Sequence, residues 1–189
     1  VADKKMVGVI AVADIIRKTS KQAIAELQET TEVYMLTGDH KLTAQAIARQ
    51  LGIKKVIAEV LPDQKVEHIK RLQKKGKVIA FVGDGINDAP ALTLADLGIA
   101  IGSGTDIAME SGNIVLMKSD PMAVISAINL SKKTFKTIKQ NLFFAFGYNV
   151  IAIPLAALGL LNPMIAAAAM SFSSVSVVTN SLRIKRAKI

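Results

Sequence analysis

The sequence of 189 residues contains no cysteine and no tryptophan. The lack of cysteine excludes disulfide bonds and thiolate metal sites within this chain, and it is compatible with a reducing cytosol. Collagen-like, disordered and disulfide-scaffold classes are excluded as well, because 51% of the residues are hydrophobic. A chain of this length can bury one ordinary core, with or without an appendage.

Acidic residues are absent after Asp120, although the chain as a whole carries a formal net charge of +9. Residues 1–120 hold 16 basic and 15 acidic residues, whereas residues 121–189 hold eight basic residues and no acidic one. The eight fall in two clusters, at residues 132–139 and 183–188. The charge is therefore not spread as a nucleic-acid-binding surface, and no nucleic-acid partner is predicted.

The 43 residues between Lys139 and Arg183 carry no charge at all. This is enough for two bilayer-spanning helices of about 20 residues each. Gly159 and the pair Asn162-Pro163 predict a turn between spans at about 141–160 and 164–182. Basic residues flank both outer ends, so the positive-inside rule predicts a multi-pass protein of the cell membrane with its soluble part and C-terminus in the cytoplasm. The alternative is a buried helical hairpin in a soluble protein.

Residues 1–120 alternate between short apolar runs and amphipathic stretches, which predicts an α/β fold with a parallel sheet. We expect two parts, a soluble domain at 1–120 and a stalk helix with the two spans at 121–189. Ser20 is the expected N-cap of the first helix, and Asp120 with Pro121 is expected to start the stalk. The strands are predicted at 6–12, 33–36, 56–58, 78–82, 97–101 and 114–117, and the helices at 20–29, 42–51 and 62–75.

Three polar clusters lie at or near the carboxyl ends of predicted strands, where ligands bind in open α/β sheets. The first is Thr37-Gly38-Asp39, whose hydroxyl and glycine N–H suit a phosphate oxygen. The second is Lys65, a point charge for a phosphate. Each of these alone is more typical of an ordinary turn or a solvated helix, but their succession along the chain is harder to explain that way.

The third cluster is the run at residues 83–90, which places two carboxylates and an amide within five residues of a strand end. Asp84, Asn87 and Asp88 offer the hard oxygen ligands that Mg²⁺ prefers. Gly83 and Gly85 allow a tight turn and close approach of the backbone to a ligand.

These three clusters together resemble the phosphorylation domain of P-type ATPases, which has a haloacid-dehalogenase-like Rossmannoid fold. The resemblance covers essentially the whole chain and implies an incomplete phosphorylation domain followed by a two-helix transmembrane hairpin. It implies that Thr37, Gly38 and Lys65 contact the phosphoryl group, with Asp39 beside them. It also implies that Asp84 ligates Mg²⁺, while Asn87 and Asp88 support the site and Asp88 takes part in holding the metal.

The family's nucleophile, an aspartate in an Asp-Lys-Thr-Gly-Thr motif, does not occur in this sequence. We therefore expect that the chain alone neither forms an aspartyl phosphate nor turns over ATP. Its expected partners are the N-terminal portion of the same pump, with the nucleotide-binding, actuator and earlier membrane domains, the lipid bilayer and a copper chaperone. The alternatives are a membrane-anchored phosphatase of the same fold, for which Asp14 lacks the required motif, and a non-catalytic regulatory fragment.

Polar residues inside a membrane span are costly and are candidates for an ion site. The first span contains Tyr148 and Asn149, and the second contains Met170, Ser173 and Ser174. Spacing alone favours packing roles for these side chains. The resemblance to the copper(I)-transporting branch of the heavy-metal class implies instead that they bind transported Cu⁺, with silver and copper(II) as alternatives. A thioether suits Cu⁺, and neither span holds a carboxylate for a hard cation.

Overall fold

The computed structural model describes residues 15–84, 87–102, 111–159 and 162–186. The strand predicted at residues 6–12 lies outside these ranges. Two compact units divide between Ile125 and Ser126. The described elements are, in chain order, α1 (Ser20–Gln28), β1 (Tyr34–Leu36), α2 (Lys41–Leu51), β2 (Lys55–Ile57), α3 (Pro62–Gln73), β3 (Ala80–Gly83), α4 (Ala89–Leu94), β4 (Leu97–Ile101), β5 (Ile114–Leu116), α5 (Met122–Ala157) and α6 (Pro163–Lys185).

The strands pair in parallel, as the alternation of strands and helices predicts. β1 pairs with β2, where Met35 lies opposite Val56. β3, β4 and β5 form a second group, with Val82 opposite Ile99 in the first of its two pairings. In the part of the chain that the structure describes, the strands therefore form two small sheets, where the sequence predicts one.

The core of the first unit lies around β4, where α4 packs on the sheet. Leu92 of α4 and Ile99 of β4 are fully buried, and each such side chain contributes about 1.5–3 kcal/mol to folding. Gly98 allows this contact, because a Cβ atom at that position would overlap the main chain of Leu92. The close packing of α4 on β4 fixes the segment that follows β3.

The start of α1 corrects one prediction. The N-cap is Thr19, and Ser20 is the first helical residue. The Thr19 hydroxyl donates at 2.8 Å to Asp120 Oδ1 instead of capping its own helix. This contact joins Thr19 to a distant part of the chain, and the local sequence does not reveal it.

Asp120 caps the start of α5, as predicted, and Pro121 lies just before the helix. Asp120 Oδ1 accepts a hydrogen bond from the backbone N–H of Met122 at 3.0 Å. This bond and the one from Thr19 lower the pKa of Asp120, because both favour the ionised carboxylate.

The second unit consists of α5 beyond Ile125 together with α6. Gly159 adopts a left-handed conformation with φ of 71°, and Asn162 Oδ1 accepts from the Met164 N–H at 2.9 Å to cap α6. Both helices are long and apolar enough to cross a membrane. Large apolar side chains on them, such as Phe143 and Phe172, are exposed within this chain, which is typical of helices that meet lipid or other helices.

Candidate functional site

Lys65 and Asp88 are brought together by two different helices. Lys65 lies in the first turn of α3, and Asp88 is the N-cap residue of α4, five residues after the end of β3. Lys65 Nζ lies 2.6 Å from Asp88 Oδ1, and each side chain is only 14% exposed. A charge-assisted hydrogen bond in this sheltered position is strong and holds both groups in place.

Gly83 provides the space that Asp88 occupies. A Cβ atom added to Gly83 would lie 2.6 Å from Asp88 Oδ2. A larger residue at the end of β3 would therefore push the carboxylate away from Lys65. The Asp88 side chain does not cap α4, and its carboxylate instead accepts the hydrogen bond from Lys65.

Thr37 and Asp39 form a compact loop after β1. The Thr37 hydroxyl donates to Asp39 Oδ2 at 2.9 Å, and the Asp39 N–H donates back to Thr37 Oγ1 at 3.1 Å. The Val60 N–H donates to the Thr37 carbonyl at 3.1 Å, and Gly38 lies against the Val60 carbonyl. The loop after β1 is thus held by the loop after β2, at the carboxyl ends of both strands.

Glu59, which the sequence patterns did not indicate, holds the loop after β1 through hydrogen bonds. It is a non-glycine residue with a positive φ of 58°, a conformation that costs about 1 kcal/mol or more. Its N–H donates to the Asp39 carbonyl at 3.0 Å, and its carboxylate accepts from the Lys41 N–H at 3.3 Å. Nothing in the local sequence indicates this contact, because Glu59 lies 20 residues from Asp39.

Asp84 directly follows β3, and Asn87 precedes Asp88 with its side chain exposed. Gly85 lies outside the described residues. Among the described residues, no group of three or more His, Cys, Asp or Glu side chains is arranged so that it could hold a metal ion. Two carboxylates at one strand end nevertheless suit Mg²⁺, which keeps several waters and takes its remaining ligands from a phosphate.

The candidate ion-site residues make local contacts in the part of the hairpin that the structure describes. Asn149 Nδ2 donates to the Ala145 carbonyl at 2.8 Å, and the Ser174 hydroxyl donates to the Met170 carbonyl at 3.2 Å. Met170 is 67% exposed and Tyr148 is 37% exposed. Ser173 is half-buried.

A polar contact between α5 and α6 was missed by the sequence analysis. Asn180 is buried, and its Nδ2 donates to Asn141 Oδ1 at 2.9 Å and to Gln140 Oε1 at 3.2 Å. Asn141 Nδ2 donates in turn to Ser181 Oγ at 2.8 Å. The signal was available, since asparagines within predicted spans are expensive unless they are satisfied.

A charged cluster joins the starts of three strands on the first unit. Glu32 pairs with Lys77 and, at 3.0 Å, with Lys55, while both ammonium groups lie over the Tyr34 ring. Hydrogen bonds from Lys77 and Lys55, and then from Tyr34, lower the pKa of Glu32 from 4.5 to about 2. This cluster lies before β1, in β2 and before β3, away from the strand ends that carry Thr37 and Asp88.

Comparison with known proteins places these features in a family. Residues 1–96 match the haloacid dehalogenase-like hydrolases. The chain is 57% identical over 187 residues to a copper-exporting P-type ATPase of Bacillus subtilis (strain 168), which covers 98% of this chain and 23% of that protein. It is 58% identical over 185 residues to a probable copper-exporting P-type ATPase V of Mycobacterium tuberculosis, covering 97% and 24% respectively.

Solved structures give a similar result. A zinc-transporting PIB-type ATPase in its E2.Pi state matches with a TM-score of 0.82 at 37% identity, over 90% of this chain and 28% of that one. The catalytic domain of a CPx-ATPase, CopB-B, matches with a TM-score of 0.56 at 30% identity, over 60% and 46%. The chain spans about a quarter of the length of the curated relatives that it matches.

Proposed function

The chain belongs to the haloacid dehalogenase-like hydrolase family, and we propose that it forms part of an ATP-driven copper(I) export pump of the P-type class. In this pump it would supply the Mg²⁺- and phosphate-binding part of the phosphorylation site and part of the transmembrane ion site. The observation that carries the proposal is the Lys65–Asp88 pair at 2.6 Å, beside the end of β3, in a chain 57–58% identical to copper-exporting relatives.

The phosphorylation site uses positioning and charge neutralisation, which supply most of the catalysis in phosphoryl transfer. We assign Thr37 and the Gly38 N–H to the phosphoryl oxygens and Lys65 to their negative charge. Asp39 accepts the Thr37 hydroxyl hydrogen bond in this structure, so Thr37 would exchange that bond for one to the phosphoryl group, while the Asp39 N–H keeps Thr37 Oγ1 in place. The Lys65–Asp88 bond keeps the ammonium group pointed at the strand ends.

Asp84 and Asp88 are the proposed protein ligands of Mg²⁺, with Asn87 and the glycines Gly83 and Gly85 shaping the turn around it. The donor set fits this ion because it consists of hard oxygens and leaves room for water and phosphate. Mg²⁺ would neutralise charge on the transferred group. Asp88 would divide its two oxygens, since Oδ1 binds Lys65 and Oδ2 lies toward Gly83.

We propose that other parts of the pump supply the nucleophilic aspartate, because this sequence holds no Asp-Lys-Thr-Gly-Thr motif. Those parts would also bind ATP. The sheet architecture supports an aspartate from outside this chain. Among the described strands, β1 pairs only with β2 and β3 pairs only with β4, so β1 and β3 each keep one unpaired edge. The Glu32–Lys77 contact draws the starts of β1 and β3 together. A further parallel strand between them would end beside Thr37 and Asp84.

The ion site is proposed to use Tyr148, Asn149, Met170, Ser173 and Ser174. The Met170 thioether is a soft ligand, and the uncharged run around it offers no carboxylate. Copper(I) is preferred to zinc because the copper-exporting relatives are 57–58% identical, against 37% for the zinc-transporting structure. Silver and copper(II) are weaker alternatives. The basic clusters at both outer ends of the hairpin favour a cytoplasmic location for those ends under the positive-inside rule, and a copper chaperone would deliver the ion there.

The test is copper-stimulated ATP hydrolysis by the native polypeptide that contains this chain, reconstituted in vesicles. Met170→Ala should raise the Cu⁺ concentration needed for half-maximal stimulation by about ten-fold or more, since even indirect disturbance of a metal site has this effect. Met164→Ala is the matched control, because Met164 is an exposed methionine of the same helix and is not assigned to the ion site. Stimulation by zinc and not by copper, or equal effects of the two variants, would contradict the proposal.

A further inference from the structure

A shallow groove of about 560 Å³ runs along one face of α5. Lys139 lies at its N-terminal end, and the side chains of Phe143, Phe146, Val150 and Ile151 line the rest. In the part of the chain that the structure describes, all of the lining belongs to α5. The wall is therefore almost wholly apolar, with a single positive charge at one end.

Gly147 makes the depression in this groove. It sits between Phe143 and Val150 on the same face of the helix, and a Cβ atom added to it would meet nothing within 4 Å. The space in front of it is therefore open. A larger side chain at this position would extend into the groove and fill it.

The charged end of the groove belongs to a larger basic region. The bonds of Asn180 to Gln140 and of Asn141 to Ser181 hold these parts of α5 and α6 at the same level of the hairpin. The nearest charged residues of the two helices therefore lie toward the same end. They are Lys132, Lys133, Lys136 and Lys139 on α5, and Arg183, Lys185 and Arg186 on α6.

Lys139 is oriented toward this basic end. Its Nζ lies 4.8 Å from the centre of the Phe135 ring, one turn back along α5. A lysine near the end of a span extends its ammonium group to the headgroup layer in this way. From Lys139 to Ile151 the helix rises about 18 Å, close to half the thickness of a bilayer's hydrocarbon core.

We propose that the groove binds an anionic phospholipid of the cytoplasmic leaflet. Its phosphate would meet Lys139 and the neighbouring basic residues, and one acyl chain would lie over Gly147. The charge argues for this occupant, because residues 121–189 contain no acidic group to neutralise the basic end. The inference rests on the proposed membrane insertion and orientation, and not on the proposed choice of copper.

The test uses the native polypeptide containing this chain in vesicles of phosphatidylcholine with a minor fraction of phosphatidylglycerol. The probe is phosphatidylglycerol with a diazirine on one acyl chain, and labelled peptides are mapped by mass spectrometry. Labelling should concentrate at residues 139–151. Lys139→Ala should lower it about five-fold, the contribution of one lysine near a membrane surface. Lys21→Ala removes an exposed lysine from the first unit and should leave labelling unchanged.

A second pair of variants tests the groove itself. Gly147→Leu should suppress labelling, whereas Ala145→Leu, which adds the same side chain on the other side of α5, should not. Equal labelling by a phosphatidylcholine probe, competition by inorganic phosphate, or crosslinks from this face to protein would each overturn the proposal. Copper-stimulated ATP hydrolysis is measured on the same vesicles. If hydrolysis were absent while lipid labelling persisted, the proposed copper pump would be wrong and the proposed lipid site would stand.

Discussion

Lys65 and Asp88 show how one side-chain pair can depend on a glycine. The two residues are 23 positions apart in sequence, and their side chains meet at 2.6 Å. The contact needs the space beside Gly83, where a Cβ atom would lie 2.6 Å from Asp88 Oδ2. The roles of the three residues are therefore linked, and a change in any of them should act on the same site.

Asp84→Asn should abolish Mg²⁺-dependent phosphorylation of the intact pump. The amide keeps the shape of the side chain but removes the negative charge that attracts the metal. Loss of one group that stabilises charge in a transition state lowers the rate by about 100-fold or more. The measurement is phosphoenzyme formed from labelled ATP at increasing Mg²⁺ concentrations.

The control for that experiment is Asp63→Asn, which removes an exposed carboxylate from the first turn of α3. It should leave phosphorylation close to that of the unaltered protein. Undiminished phosphoenzyme in the Asp84 variant would show that the metal assignment is wrong.

Among the helices and strands, the sequence correctly predicted those whose ends depend on nearby residues. β4 is observed at Leu97–Ile101, as predicted, and α2 ends at the predicted Leu51, followed by Gly52, whose φ of 76° suits glycine. α4 was missed because it has only six residues and begins inside the motif at 83–90. The family and fold predictions are confirmed by the family match and by the solved structures.

Contacts between elements that are distant in sequence could not be predicted from the sequence. Thr19 occupies the N-cap position of α1 without a side-chain cap, and its hydroxyl bonds Asp120, 101 residues away. The separation of the strands into two sheets is likewise a matter of non-local pairing. The residue types of the candidate sites could be read from motifs, but only the structure pairs Lys65 with Asp88.

Asn180→Ala should weaken the association of α5 with α6. It removes two hydrogen bonds from the buried Asn180, so that Asn141 Oδ1 and Gln140 Oε1 each lose a donor from the opposite helix. Interhelical polar contacts in membranes contribute about 0.6–2 kcal/mol. The free energy of unfolding in mixed micelles should fall by this amount.

Thr179→Ala is the matched control, since Thr179 is an exposed neighbour on the same helix. It should change the free energy of unfolding far less. Equal stability of the two variants would mean that the asparagine contact does not hold the hairpin together.

Over the whole molecule, the net charge of +9 separates into parts with different roles. Residues 1–120 are nearly balanced, whereas the remaining residues hold eight basic groups and no acid. In the balanced part, charges act pairwise, as Glu32 does with Lys55 and Lys77. In the unbalanced part, they flank the two apolar helices in the pattern that the positive-inside rule expects of cytoplasmic ends. The absence of cysteine has a related meaning, since any thiolate ligand of a copper pump must come from outside this chain.

Glu32→Gln should make the stability of the first unit less dependent on pH in the acid range. The folded state lowers the pKa of Glu32 from 4.5 to about 2, so folding favours the ionised carboxylate. Its contribution is present above pH 4.5 and is lost as the pH falls toward 2. The melting temperature of the unaltered protein should therefore exceed that of the variant at neutral pH, and the difference should shrink through this window.

The same experiment tests whether the cluster holds the two sheets together. Glu32 joins Lys55 of β2 to Lys77 before β3, so its loss should affect the melting of the whole first unit, and added salt should reduce the effect. Glu29→Gln, at the exposed end of α1, removes a nearby carboxylate and serves as the control. A pH-independent difference between the unaltered protein and Glu32→Gln would show that the ion pairs are not its cause, because only the ionised carboxylate can make them.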